Sequence, residues 1–169
     1  MWVCPKCKQR FVNNSQWHSC GKNTVDGFLK GKTTSARKLF WYFVKQYQKI
    51  GPFDLHPAKT RVAFAAQIRF AGVTKMGKDF IQGGLLFTQP YPNNRCFYKI
   101  ERIPGGSAGG IEYYPHYFRL HKKSNLTAEL KKYMRMAYKI GERKHILRNS
   151  ALPRKQSPSR RVRVPKWAG

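Results

Sequence analysis

Apolar positions along the chain change period twice, and each change marks an element. From about Ser35 to Ile50 the residues Ala36, Leu39, Phe40, Phe43, Val44, Tyr47 and Ile50 recur at steps of three and four. That spacing gathers them on one helical face, and Gly51-Pro52 stops the helix. The period then falls to two. Arg61 to Ala66 and Ile68 to Val73 read as paired strands, followed by Phe80 to Thr88 (interrupted by Gly83-Gly84), Arg95 to Ile103, and Ile111 to Leu120 after a glycine-rich loop over 105–110. No helix intervenes between them, which predicts an antiparallel sheet of about four to five strands. A second helix is predicted from about Leu126 to Ile140, with Ser124 or Asn125 as its cap and Leu126, Leu130, Tyr133, Met134, Ala137 and Ile140 as its buried stripe. Lys131, Lys132, Arg135 and Lys139 fall outside that stripe.

From Arg143 onward come nine Lys or Arg, three Pro and no acid, with little apolar patterning. Such a segment reads as a basic tail that is disordered when free. The fold class expected is therefore α+β. Residues 1–24 form a small knuckle, 25–34 a polar linker, 35–145 the α+β domain flanked by two main helices, and 146–169 the basic tail. No internal repeat of solenoid length is present.

Charge alters the picture most. The 169 residues carry 34 Lys and Arg against 7 Asp and Glu, a formal net charge of +27. An excess of that size repels itself unless a polyanion relieves it, and it draws phosphate backbones through counterion release. An acidic membrane would offer the same charge, but there is no lipidation signal, no amphipathic membrane helix and no run near the ~18 apolar residues of a span. Nucleic acid is the expected partner, not a membrane. The start, Met1-Trp2-Val3-Cys4, enters the cysteine motif without room for a signal peptide, so a reducing cytoplasmic setting is expected.

The sharpest motif is Cys4-Pro5-Lys6-Cys7 followed by His18-Ser19-Cys20. Three thiolates and one imidazole suit a closed tetrahedral Zn²⁺ site, and a segment this short needs the metal to fold. The alternatives are a reduced cysteine pair beside an incidental histidine, or a redox Cys-x-x-Cys, for which the βαβ surroundings are missing. The His-x-Cys gap is short: in an extended chain the two side chains point apart, so a local turn is required. Cys96 is expected inside a strand as a small buried hydrophobe.

Cys4-Pro5-Lys6-Cys7 through Asn14, Gln16, His18 and Cys20 resembles the knuckle that precedes an uncharacterised family, the domain of unknown function numbered 5655. The likeness continues through Gly51-Pro52, Lys59 to Phe64, Phe70 to Val73, His116 to Leu120 and Met136-Ala137-Tyr138, and so covers about residues 1 to 145. It implies a compact α+β domain and carries no established activity. This chain is more basic than that family's pattern.

Lys59, Arg61, His116 and Arg119 are the candidate contacts within the body, with Lys6, Lys8 and Arg10 on the knuckle. His116 is either a satisfied core histidine or part of a phosphate- or base-contacting cluster. Tyr113, Tyr114, Tyr117 and Trp41 are candidates for stacking bases or for filling the core. Lys131, Lys132, Arg135 and Lys139 offer a helical basic face. Arg160, Arg161 and Arg163 suit an arm that orders on phosphate, though basic tails also serve solubility or targeting. The seven acids stand singly, whereas a Mg²⁺-dependent nuclease clusters its carboxylates. Glu129-Leu130-Lys131 resembles a nuclease Glu-x-Lys element, but it falls on a helical pattern, where residues two apart diverge. Neither a Walker loop nor a nucleophile elbow occurs, and no small-molecule substrate is indicated. The expected function is non-enzymatic binding of nucleic acid through its phosphate backbone, RNA before DNA, with the ribosome as one setting. The alternatives are a DNA-binding accessory of a mobile element or defence system, and a nucleic-acid enzyme with an unrecognised site.

Overall fold

The computed structural model describes residues 2–11, 14–15, 18, 20–105 and 110–144. The predicted tail, 146–169, lies outside them. At the N-terminus β1 (Trp2–Val3) and β2 (Arg10–Phe11) pair antiparallel. Helices α1 (Val25–Leu29) and α2 (Thr34–Gln48) follow. The six strands β3 (Asp54–Pro57), β4 (Val62–Ala65), β5 (Arg69–Met76), β6 (Ile81–Phe87), β7 (Lys99–Ile100) and β8 (Tyr114–Leu120) form one antiparallel sheet in the order β3-β4-β5-β6-β8-β7, and α3 (Ala128–Gly141) closes the body. The α+β class with an N-terminal knuckle holds.

The predicted stripe of α2 is buried from Ala36 to Tyr47, and the Thr33 hydroxyl caps the helix by accepting the Ala36 N–H at 3.3 Å. On α3, Leu130, Met134, Ala137 and Ile140 are buried, but the cap is Thr127, whose hydroxyl accepts the Leu130 N–H at 3.1 Å. Asn125 is used differently: its side-chain oxygen accepts the His121 and Lys122 N–H groups, both at 3.0 Å, in a preceding turn. Both helices cover the sheet face made by Val62, Phe64, Phe70, Val73, Ile81, Leu85, Phe87, Phe118 and Leu120. Phe43 packs against Phe64 and Phe118 at centroid distances of 5.5 and 5.1 Å, tying α2 to two distant strands.

Two expectations need correction. The stretch read as a linker contains α1, capped by Thr24, with Leu29 buried in the core. The stretch from Arg95 to Ile103 is strand only at β7, so Cys96 is a half-buried loop residue whose N–H donates to Asn94. β6 falls within the strand predicted from Phe80 to Thr88, whereas β3 is a strand the periodicity does not mark. Pro57 ends β3, an edge strand where a missing N–H is tolerated. Gly83 and Gly84 sit in an unbroken β6 because the strands approach closely there: a Cβ on Gly83 would lie 2.3 Å from the Gly72 carbonyl oxygen and 2.8 Å from the Phe118 ring. Gly83→Ala should therefore lower thermal stability by about 1–3 kcal/mol through overpacking; an unchanged Tm would contradict this packing.

Register defines the opposite face. Cross-strand partners run in one row: His56 with Ala63, Ala63 with Gly72, Gly72 with Gly84, Gly84 with Tyr117, and Tyr117 with Lys99. Directly paired residues point to the same side of a sheet, so this row crosses all six strands on one face. Three small residues between His56 and Tyr117 leave a trough about 19 Å long at ordinary strand spacing.

Candidate metal centre and basic trough

Cys-x-x-Cys bends because the chain turns back on itself. The Lys8 N–H donates to the Cys4 carbonyl and the Cys4 N–H to the Gln9 carbonyl, both at 2.9 Å, with Lys8 in the left-handed region at φ 58°. At the end of the short His-x-Cys gap the backbone takes positive φ at Cys20 (21°) and then at Gly21 (75°). The ligand atoms of Cys4, Cys7, His18 and Cys20 consequently all lie within 4.8 Å of one another. Cys4 Sγ is 3.6 Å from Cys20 Sγ, and Cys7 Sγ is 3.2 Å from His18 Nε2. These separations are too long for a disulfide and near the ~3.5–3.8 Å between ligands on a tetrahedral ion. The Cys7 amide, aided by the Lys6 amide and the Cys20 and Cys7 thiols, holds the Cys4 thiol down at about 6. Cys20, hydrogen-bonded to Cys4, is pushed up to about 11. These four residues form a site able to hold a metal ion.

The knuckle docks on the trough face. Arg10 grips Asp54 of β3 through two hydrogen bonds, 2.8 Å to Oδ2 and 3.2 Å to Oδ1. Phe11, 4% exposed, packs its ring 4.5 Å from His18 and 5.4 Å from His56. At this seam a cavity of about 320 Å³ opens, lined by His56, Lys59, Arg61, Arg69, Gln9 and Asn23 among others. A second depression of about 280 Å³ continues over the sheet past Gly72, Gly84 and Ile103 to Tyr117. Arg61, Ala63 and Arg69 line both, so the two adjoin along one trough-shaped face of the sheet.

The trough's walls combine cations with aromatic rings. Arg69 and Arg61 are close enough that burial and the Arg61 charge together lower the Arg69 guanidinium's proton affinity. Among the described residues neither has an ion-pair partner. Arg119 lies over the rings of Phe80 at 4.8 Å and Tyr98 at 5.5 Å. Lys99 stands 5.7 Å from the Tyr117 ring centroid and pairs with Glu101, which also accepts the Tyr117 hydroxyl at 2.7 Å. Burial, then that carboxylate, push the Tyr117 phenol up to about 12, so it stays protonated.

The residues expected to contact nucleic acid scatter over three surfaces. Lys59, Arg61 and Arg119 are exposed on the trough side, and Lys6 and Lys8 are exposed on the knuckle. Lys131, Lys132, Arg135 and Lys139 ride on α3, across the sheet from the trough. Arg160, Arg161 and Arg163 lie outside the described residues. Arg10 pairs with Asp54 and docks the knuckle, with its side chain still 46% exposed. One expectation is overturned. His116 is fully buried, its Nε2 accepting the Tyr91 N–H at 2.9 Å and its Nδ1 set against the Tyr114 carbonyl at 2.7 Å, so both ring nitrogens are occupied inside the core. Burial lowers its pKa and keeps it neutral there. Trp41 is 40% exposed on α2 beside Arg37, Lys38 and Lys45, but that crease lies on the helix side and shares no residue with the trough.

His56, Arg69, Tyr98 and the glycine row were missed. The only local signal for the row was the pair of glycines inside otherwise period-two strands. The described acids are dispersed: Asp54, Asp79, Glu101, Glu112 and Glu142 each face a separate base, while Glu129 accepts from Asn94 on the outside of α3. No described helix is long and apolar enough to cross a membrane. Comparison with known proteins gave no match among family models, curated proteins or solved structures.

Proposed function

We propose that the chain is a zinc-knuckle protein that binds nucleic acid along the trough, mainly through phosphates, with single-stranded RNA as the preferred partner and the cytoplasm as its setting. Zinc follows from the donor set: soft thiolates with one imidazole at tetrahedral spacing select it over hard cations. The ion would bind Cys4, Cys7, His18 and Cys20 and supply folding energy rather than chemistry, since four protein ligands leave no open position.

The observation that carries the reading is the trough lined by Arg61 and Arg69, two guanidiniums close together and without a described counterion. An anion relieves their repulsion. Backbone phosphates recur at the spacing such a trough needs, and a sheet face with accessible aromatic edges suits unstacked bases better than a stiff duplex. Unpaired RNA in loops and bulges presents such bases.

Replacing Arg61, Arg69 and Arg119 together by Gln should weaken binding to a single-stranded oligonucleotide at every sequence and reduce the salt slope by about 2. The same change at Lys131, Lys132, Arg135 and Lys139 should leave both almost unaltered. If the helix variant loses affinity and the trough variant keeps it, the binding surface is on the wrong side of the sheet in this proposal.

A further inference from the structure

The seam between knuckle and sheet contains a histidine whose burial the fold does not explain. His56 is 5% exposed, and neither ring nitrogen has a hydrogen-bond partner among the described residues. Leaving a buried polar group unpaired is costly, and such groups concentrate where a ligand supplies the missing partner. His116 shows what a structural histidine looks like in this same chain, with both nitrogens engaged. His56 instead lines the 320 Å³ cavity together with Arg61, Arg69 and Lys59.

Chemistry narrows the occupant. Burial first, then the Arg69 charge, hold the His56 imidazole down at about 4, so at neutral pH it offers one N–H donor and one lone pair. An isolated phosphate at this pH presents chiefly acceptors and would use only half of that. The edge of a nucleobase carries donors and acceptors side by side. The amides of Gln9 and Asn23, on the same walls, have the same dual character. The volume also lies at the lower end of the roughly 300–1,000 Å³ of small-molecule pockets, well above what a bare anion fills.

We propose that this cavity is a nucleotide pocket, which takes one unstacked nucleotide of a single strand with its phosphate on Arg61 and Arg69 and its base edge against His56. The proposal rests on the nucleic-acid reading above and adds to it a point of base recognition. The neighbouring nucleotides then follow the glycine row toward Tyr117. A free nucleoside monophosphate presents the same chemistry, so the two sources must be separated by experiment.

The full chain, carrying isotope-labelled histidine, is titrated with inorganic phosphate, with each of the four ribonucleoside 5′-monophosphates, and with short single-stranded oligonucleotides. At least one monophosphate is expected to move the His56 ring resonances, phosphate to leave them in place, and a strand containing that base to move them at about 100-fold lower concentration through its added contacts. An equal shift from phosphate alone overturns the base pocket. A monophosphate that binds as tightly as the strand overturns its place in a strand site. Strand binding that leaves His56 unmoved overturns the pocket while the nucleic-acid reading stands, and absence of all binding removes both.

His56→Phe supplies a readout of opposite sign. It keeps the ring against Phe11 and removes two unpartnered polar atoms, so the melting temperature should hold or rise. Strand affinity should fall roughly tenfold. A merely structural His56 predicts the gain in stability with affinity unchanged, and that result would reject the pocket.

Discussion

Stripping the metal should unfold the knuckle and leave the body standing. Strong chelation is expected to release about one zinc per chain and to collapse the backbone signals of residues 2–24, while the amides of α2, α3 and the central strands keep their protection. The asymmetry follows from where apolar area lies. The body buries Phe40, Phe43, Tyr47, Phe64, Phe70, Phe87 and Phe118 in one cluster, whereas the described residues of the knuckle offer little beyond Trp2, Phe11 and the His18 ring. Two two-residue strands cannot offset the conformational entropy of ordering such a segment. Metal binding worth about 10–16 kcal/mol in comparable small zinc units can. Protons compete for the thiolates, so zinc retention should fall as pH falls. Cys4→Ser with Cys7→Ser should abolish stoichiometric zinc. Wild-type zinc content in that variant, or knuckle signals indifferent to chelation, would reject the site.

A consequence reaches the trough. Phe11 and Arg10 hold the knuckle against His56 and Asp54, so its loss removes one wall of the seam cavity. Strand affinity in chelator should therefore drop even though Arg61, Arg69 and Arg119 remain in place. On the proposed reading a bound metal would act on strand binding through architecture, not through its own charge.

Much of this was legible along the chain. The three- and four-residue steps of α2 marked six positions that are buried, and Cys4, Cys7, His18 and Cys20 announced their cluster by residue type and spacing. Even the need for a turn at His-x-Cys was visible, and Cys20 takes a positive φ there. His116 alternates with Phe118 and Leu120 along β8, and of its two readings the core histidine is the one the structure bears out. The trough was not legible for a different reason. Its floor joins Ala63, Gly72, Gly84 and Tyr117 from four strands, and only the inter-strand register brings them into one row. A bulge between Phe64 and Ala65 shifts that register and turns Arg69 to the trough side. Periodicity within one strand carries no such information.

Raising salt should weaken strand binding steeply, and the steepness reports which cations take part. Each phosphate contact on a single strand adds about −0.7 to the slope of log affinity against log salt. If Lys59, Arg61, Arg69, Arg119 and the exposed Lys75, which pairs across strands with Gln82 on the face of Gly84, all engage, the slope is about −3.5, and affinity falls about 100-fold between 50 and 200 mM salt. Engagement of Arg160, Arg161 and Arg163 as well would bring the slope near −5.6 and the loss to roughly 2,000-fold. Measuring the slope for the full chain and for a chain ending at residue 145 therefore separates trough from tail. A change of about 2 on truncation assigns the arm a direct role; no change returns the binding to the folded surface. The substitution of Arg61, Arg69 and Arg119 should remove a comparable share in either background, because the trough and the tail contact different phosphates and their contributions add. A slope near zero in the full chain would reject phosphate-dominated binding altogether. The net charge of +27 would then serve some purpose other than holding a polyanion.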